Sequence, residues 1–215
     1  MHGKILSYAT FAYTSPMTTI SEEIAAEAAR LVADHGLDYG SAKKKAAEGI
    51  AGVSKLPRDA MPDNHQIDDA LLEHLNLFDD EHAARVQRMR EVGFAMMQHL
   101  SNFEPMLTGS VWKGIVAEHV PIHIQAFSDN NKDVQFALLN LHIEYDSIET
   151  KHFKTGHLVE ALTFHWKNEP IMISLYSFDD LRGAVKEKIA GGSLAGKPVR
   201  ADLKAVAQLL EASFQ

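Results

Sequence analysis

The N-terminal half of the chain repeats its apolar positions with the period of an α-helix. The first run consists of Ile24, Ala25, Ala28, Leu31 and Val32. Apolar residues three and four positions apart line one face of a helix, and that face can pack on a core. We predict a helix that is capped by Ser21 at its amino end and closed by Gly36 at its carboxyl end. The same period predicts further helices over residues 41–50, 64–78 and 79–100.

The period becomes alternating in the C-terminal half. The apolar residues Ile122, Ile124 and Ala126 alternate with the polar residues His123 and Gln125. Alternation places successive side chains on opposite faces of a β-strand. We therefore predict a strand whose apolar face lies in the core and whose other face carries His123 and Gln125.

The remaining segments of the C-terminal half complete a mixed arrangement. Strands are predicted over residues 104–108, 120–127, 142–149, 158–166 and 170–176, and helices over residues 111–117, 128–141, 179–189 and 200–212. The last two strands are expected to form a hairpin across Lys167, Asn168 and Glu169. Helices that precede a group of strands are typical of the α+β class. The predicted fold is α+β, with N-terminal helices followed by a small mixed β-sheet with packed helices.

These elements divide the chain into four parts. Residues 1–20 are predicted to be a disordered leader, residues 21–80 a helical region, residues 81–190 an α+β domain, and residues 191–215 a linker with a C-terminal helix. Polar residues break the apolar stretch of the leader, so it lacks the layout of a secretory signal peptide. Met17 is an alternative to Met1 as the start of translation. We expect a cytoplasmic protein.

Composition and charge exclude several classes of function. The chain has 215 residues, a formal net charge of −8 and no cysteine. An acidic balance disfavours a general nucleic-acid-binding surface. Without cysteine there are no disulfides and no thiolate-bound zinc or iron–sulfur clusters. No apolar run has the length needed to span a bilayer. Neither nucleic acid nor a membrane is therefore predicted as a partner.

A glycine–serine pair precedes the alternating strand. Gly109 and Ser110 follow the predicted strand 104–108, and Gly114 lies in the short helix after them. Together with the next strand, this pattern resembles the signature of the polymerase-beta-like nucleotidyltransferase superfamily, over residues 81–183. The resemblance implies a nucleotidyltransferase-like fold in which the Gly-Ser pair cradles nucleotide phosphates. It also implies a magnesium site made by two aspartates two residues apart on a strand and by a third carboxylate from a later strand.

The residues at these metal positions are not carboxylates in this chain. His123 and Gln125 stand where the resemblance puts the two aspartates, and Met172 stands at the position of the third acid. Magnesium prefers oxygen ligands, usually including carboxylates. The resemblance therefore implies a degenerate member that keeps the fold without its metal site, so no cofactor is predicted.

The chain does retain the phosphate-binding part of the signature. The resemblance implies a nucleotide or phosphate site at Gly109 and Ser110. Glycine lets the backbone approach a phosphate, and the serine hydroxyl can donate a hydrogen bond to it. Lys113 in the short helix is a further candidate phosphate contact, with a solvent-exposed side chain as the alternative.

The sequence is compatible with three functions. The first is a catalytically degenerate nucleotidyltransferase-like protein that binds nucleotide or phosphate, or that regulates a protein partner through its N-terminal helices. The second is an active, metal-dependent nucleotidyltransferase, in which magnesium would be held by displaced acids, namely Glu144, Asp146 or Asp129. The third is a protein-interaction module without a ligand.

Overall fold

The computed structural model describes residues 19–52, 57, 60–118, 120–182, 189 and 196–213. Within these residues the predicted α+β class is confirmed, because N-terminal helices precede a mixed sheet of six strands. None of the described helices is both long and apolar enough to cross a bilayer.

The N-terminal part of the fold is a bundle of three helices. They are α1 (Ile20–His35), α2 (Tyr39–Ala51) and α3 (Asn64–Phe78). Each begins after a side chain that accepts hydrogen bonds from backbone N–H groups of the first turn, and these caps are Thr19, Asp38 and Asp63. The prediction that Ser21 caps α1 is wrong, because Thr19 forms a reciprocal capping box with Glu22. Gly36 closes α1 in the left-handed conformation, as predicted.

Small side chains let the helices of this bundle approach one another closely. Alanines are buried along both α1 and α2, at Ala25, Ala28, Ala29, Ala42, Ala46 and Ala47. With larger side chains such as Leu31, Ile67 and Leu71 they form a hydrophobic core that is separate from the core of the sheet. Ile115, which lies between the bundle and the sheet, also belongs to this core.

The rest of the described chain builds the sheet and the helices around it. The strands are β1 (Met106–Thr108), β2 (Ile122–Phe127), β3 (Asp146–Lys151), β4 (Leu158–Trp166), β5 (Glu169–Tyr176) and β6 (Arg200–Ala201). The helices are α4 (His82–His99), α5 (Gly109–Lys113), α6 (Asn131–Asn140), α7 (Phe178–Arg182) and α8 (Leu203–Ala212). A 3-10 turn at Ser101–Phe103 joins α4 to β1.

The strands lie in the order β3-β4-β5-β2-β1-β6. The central pair, β2 and β5, runs parallel, and every other described pair of neighbours is antiparallel. β4 and β5 form the predicted hairpin, whose turn residues Lys167 and Asn168 have φ of 51° and 66°. Two consecutive positive φ angles give the tight turn whose twist matches that of the flanking strands.

One face of the sheet forms the main core. Ile122, Ile124 and Ala126 are fully buried there, as the alternation predicts. Gly93 of α4 comes so close that an added Cβ atom would lie 3.0 Å from a methyl group of Ile122. Because side chains alternate along a strand, the opposite face of β2 carries His123 and Gln125.

Three predicted boundaries are wrong for local reasons. α5 begins at Gly109 and ends at Lys113, because Gly114 adopts a left-handed conformation with φ of 78°. β3 begins at Asp146 and not at residue 142, since His142 has φ of 57°, outside the extended region. Residues 200–201 are a strand paired with β1, and the last helix begins after Asp202, which caps it.

The sheet and its helices continue beyond residue 190, the predicted end of the α+β domain. β6 extends the sheet next to β1, and α8 packs on α4 with Val206 and Leu210 in the main core. The predicted leader up to residue 18 and residues 191–195 of the predicted linker lie outside the described residues.

Candidate functional site

The Gly-Ser pair lies where β1 passes into α5. Gly109 has φ of 71°, a conformation that favours glycine. A Cβ atom added to Gly109 would lie 3.4 Å from His123 Nδ1, so the chain turns directly beside the His123 ring. Ser110 is half-buried, and its hydroxyl makes no hydrogen bond with the described residues. The carbonyl of Ser110 accepts hydrogen bonds from Gly114 N at 2.8 Å and Ile115 N at 3.0 Å.

The three residues at the supposed metal positions share one face of the sheet. His123 and Gln125 lie two residues apart on β2. In the parallel register with β5, His123 is opposite Met172 and Gln125 is opposite Ser174. The structure therefore brings His123, Gln125 and Met172 together next to Gly109. We call this surface the Gly109 face.

The strands β2 and β5 contribute uncharged side chains to the Gly109 face. Burial lowers the pKa of His123, so its imidazole is uncharged at neutral pH. Gln125 is 6% exposed, and its Oε1 atom has no hydrogen-bond donor among the described residues. Tyr176, further along the same face of β5, has its pKa raised by burial and keeps its phenol proton.

Magnesium does not fit the donors of this face. His123 offers a nitrogen, Gln125 a neutral amide oxygen and Met172 a thioether, whereas magnesium prefers oxygen ligands that include carboxylates. Among the described residues, no group of three histidine or acidic side chains is placed to hold a metal ion.

The displaced acids do not meet at the Gly109 face. Asp129 is exposed, and its Oδ1 accepts a hydrogen bond from Phe178 N at 3.3 Å. Glu144 and Asp146 are exposed near the start of β3. β3 is separated from β2 by β4 and β5, which corresponds to about 14 Å across the sheet.

Lys113 is engaged by the helical bundle. Its ammonium donates to Asp68 Oδ2 at 2.5 Å, and Tyr39 donates its hydroxyl proton to Asp68 Oδ1 at 2.6 Å. The Asp68 side chain is 7% exposed, so this carboxylate is held in the junction between α3 and α5. A phosphate contact by Lys113 stays a prediction, and it would require the ammonium to leave Asp68.

Sequence reasoning missed a charged residue on the Gly109 face. Arg200 of β6 is opposite Thr108, which is in turn opposite His123, so all three side chains lie on one face. The Arg200 guanidinium carbon lies 3.5 Å from the ring centroid of Phe153, in a cation–π arrangement. No sequence signal could have found Arg200, because the two-residue strand that positions it is too short for any periodicity.

A buried histidine–aspartate pair borders the same region and was also missed. His152 Nε2 lies 3.0 Å from Asp180 Oδ1, and the His152 side chain is 1% exposed. Backbone N–H groups of Lys154 and Thr155 donate to His152 Nδ1 at 3.0 and 3.2 Å, so the neutral ring carries its proton on Nε2, towards Asp180. Burial would raise the pKa of Asp180, but hydrogen bonds from Ser177 and His152 outweigh it and lower the pKa.

No model of a protein family matches the chain. A search of curated proteins also finds no match.

Proposed function

We propose that this chain is a catalytically degenerate nucleotidyltransferase-like domain that binds a nucleotide or phosphate in a regulatory role. The observation that carries the proposal is the meeting of His123, Gln125 and Met172 beside Gly109. The resemblance puts the metal-binding acids of the family at these three positions. Their meeting on one face supports the proposal, and their side chains are not acids.

Loss of the acids removes the usual means of nucleotide transfer. Phosphoryl transfer depends on cations that neutralise the charge developing on the phosphates, and carboxylates hold those cations. Binding does not have this requirement. Arg200 contributes a positive charge to the Gly109 face, and guanidinium groups bind phosphate oxygens without a metal.

Nucleotide titrations with and without magnesium test the proposal. ATP, CTP, GTP and UTP are each added to the purified protein while its thermal midpoint is measured. A ligand that binds only the folded state raises the midpoint by mass action. We expect at least one nucleotide to raise the midpoint equally with and without magnesium, and we expect Ser110→Ala to reduce this effect. The matched control is Ser101→Ala, at an exposed serine away from the Gly109 face.

A transfer assay distinguishes binding from catalysis. We expect no transfer of a labelled nucleotide by the purified protein in the presence of magnesium. Magnesium-dependent transfer that Ser110→Ala abolishes would overturn the proposal in favour of an active enzyme. No midpoint shift with any nucleotide would overturn the binding role.

A protein partner bound through the N-terminal helices is the second candidate function. At the end of α3, Leu77 and Phe78 are 66% and 75% exposed. Phe78 also borders a cavity of about 600 Å³ whose lining includes Asp34, Glu81 and Glu118. Apolar side chains beside acids favour a partner segment that is basic and amphipathic. Crosslinking to a partner protein tests this function, with Ile20→Ser as the control at another exposed apolar residue. Loss of the crosslink in Leu77→Ser/Phe78→Ser but not in Ile20→Ser would support the function. The same crosslinking yield in both variants would contradict it.

A further inference from the structure

Arg90 of α4 is a buried cation without an acidic partner. The residue is 9% exposed. Its Nε donates to the carbonyl of Val111 at 3.0 Å, and its Nη2 donates to the carbonyl of Trp112 at 2.9 Å. Among the described residues, no carboxylate forms an ion pair with Arg90, and no further acceptor takes its remaining N–H groups.

Two carbonyl groups compensate only part of this buried charge. They lie near the C-terminal end of α5, where the peptide dipoles favour a cation. A buried charge nevertheless remains costly unless an opposite charge accompanies it. Burial lowers the pKa of Arg90 to about 10, which still leaves the guanidinium charged at neutral pH. A negative charge from outside the described residues would therefore be strongly favoured beside Arg90.

A cavity beside Arg90 has room for such a group. Its volume is about 460 Å³, within the range of small-molecule sites, which is roughly 300–1,000 Å³. Arg90, His82, Asn76 and Gln87 provide polar lining, and Leu72 and Val86 provide apolar lining. No acidic side chain is among its described lining residues, whereas Glu118 lines three other cavities of the protein.

The hydrogen bonds of His82 leave a donor available in this cavity. The backbone N–H of Val116 donates to His82 Nε2 at 3.4 Å, so the neutral ring carries its proton on Nδ1. Nδ1 lies 3.3 Å from Asn76 Oδ1, which accepts that proton's hydrogen bond. The amide oxygen of Asn76 is therefore occupied, and its Nδ2 group remains able to donate to a ligand.

Gly114 gives the guanidinium its space. A Cβ atom added to Gly114 would lie 2.8 Å from Arg90 Nη2, closer than real Cβ contacts allow. Gly114 also has φ of 78°, a conformation that favours glycine. The short distance and the positive φ both require glycine at position 114 if Arg90 is to lie in the cavity wall.

We propose that this cavity, between α3, α4 and the end of α8, is a binding site for an oxyanion, a carboxylate or phosphate group carried by a small organic molecule. Arg90 binds the anionic group, and Asn76 donates a further hydrogen bond to it. Leu72 and Val86 contact the apolar part of the molecule. The site is distinct from the Gly109 face and does not depend on the function proposed for that face.

Two probes and one exposed position test the site. Phosphate and benzoate are titrated separately at constant ionic strength while the thermal midpoint is measured. Ala83, an exposed residue of α4 that lines the cavity, is changed to Glu, with Ala83→Gln as the control of similar size. We expect a saturable rise of the midpoint with at least one probe in the unchanged protein and in Ala83→Gln. We expect binding at least about tenfold weaker in Ala83→Glu, because a like charge at the rim repels the anion.

The two probes separate the chemical sources of the oxyanion. A rise with phosphate alone assigns a phosphate ligand, and a rise with benzoate assigns a carboxylate with an apolar body. No saturable rise with either probe, or equal binding by Ala83→Glu and Ala83→Gln, would overturn the proposal.

Two further variants locate the bound anion. Arg90→Lys keeps the charge without the forked donors, and Arg90→Met removes the charge while keeping a long apolar side chain. We expect probe affinity to fall in the order Arg90, Lys, Met. Ser101→Ala, at an exposed serine that does not line the cavity, is the control that must leave probe binding unchanged. Equal probe affinity in Arg90→Met and in the unchanged protein would place the anion elsewhere and overturn the site at Arg90, whereas failure of nucleotides to bind the Gly109 face leaves this site unaffected.

Discussion

His123 of β2 lies directly opposite Met172 of β5 in a parallel register. Neighbouring strands are about 4.8 Å apart, so the two side chains begin close together on the same face of the sheet. Gln125 lies two residues further along that face. Three side chains therefore border one small volume, and the chemistry of that volume depends on which residues occupy these positions.

Replacing these three residues by aspartate is expected to create a magnesium site. In His123→Asp/Gln125→Asp/Met172→Asp, three carboxylates would share the volume beside Gly109. Without a cation, their mutual repulsion and their burial should lower the thermal midpoint. Magnesium should then raise the midpoint, because it binds the folded state and neutralises the three charges.

The matched control for this variant is the triple asparagine protein. Asparagine has the same shape as aspartate but carries no charge, so magnesium should leave its midpoint unchanged. The unchanged protein should also show no response. A triple aspartate protein that folds and does not respond to magnesium would show that the three positions do not converge closely enough to share a cation.

The Lys113–Asp68 pair is expected to fix α5 to the helical bundle. In Lys113→Met the Asp68 carboxylate keeps only its hydrogen bond from Tyr39, and it stays buried without a cation. We expect the free energy of unfolding to fall by about 1–3 kcal/mol. Urea denaturation of this variant, of Asp68→Asn and of the double variant gives the coupling between the two residues. The free energy of unfolding should fall by less in the double variant than the two single decreases add up to. Strict additivity of the decreases would contradict a direct interaction.

Local patterns predicted much of the fold because they are set by neighbours in sequence. The alternation around Ile122 and Ile124 predicted β2, and Gly36 predicted the end of α1. These features depend on side chains within one element or on the backbone conformation of one residue. The Gly-Ser pair also lies beside the face of His123, as expected from the resemblance of this stretch.

Contacts between distant segments could not be predicted in this way. Asp68 and Lys113 are separated by 45 residues, and nothing in either local sequence indicates that they meet. Arg90 looks like any polar residue of an amphipathic helix until α5 packs on it. Arg200 lies in a two-residue strand, and such a strand exists only because β1 pairs with it. These residues became visible only once the packing of the elements was known.

His123 is expected to make the protein less stable as the pH falls. Burial lowers the pKa of His123 in the folded protein, whereas the unfolded chain has the ordinary value of about 6.5. As the pH falls through about 6.5, the unfolded state takes up a proton that the folded state does not, so the free energy of unfolding decreases towards acid pH. The decrease ends once the pH is below the folded pKa.

Substitution isolates the share of this pH dependence that belongs to His123. In His123→Gln the free energy of unfolding, measured by urea denaturation between pH 7 and pH 5, should depend less on pH than in the unchanged protein. Burial also lowers the pKa of His82, so part of the dependence should remain. The control is His165→Gln, at an exposed position of β4. Identical pH profiles for His123→Gln and the unchanged protein would contradict the expectation.

Thr108 is expected to couple the strand β6 to the Gly109 face. Its hydroxyl donates to the carbonyl of Val199 at 3.1 Å, next to the paired residue Arg200. Thr108→Val keeps the shape of the side chain but leaves that carbonyl without this donor, which should lower the free energy of unfolding by about 1 kcal/mol. Amide hydrogen exchange should become faster in residues 199–201, because the edge strand then opens more often.

Opening of β6 would carry Arg200 away from the Gly109 face, so the affinity for a nucleotide should fall as well. Thr150→Val in β3, at a hydroxyl with no hydrogen bond among the described residues, is the control that should change neither quantity. Faster exchange with unchanged nucleotide affinity would show that Arg200 does not contact the ligand.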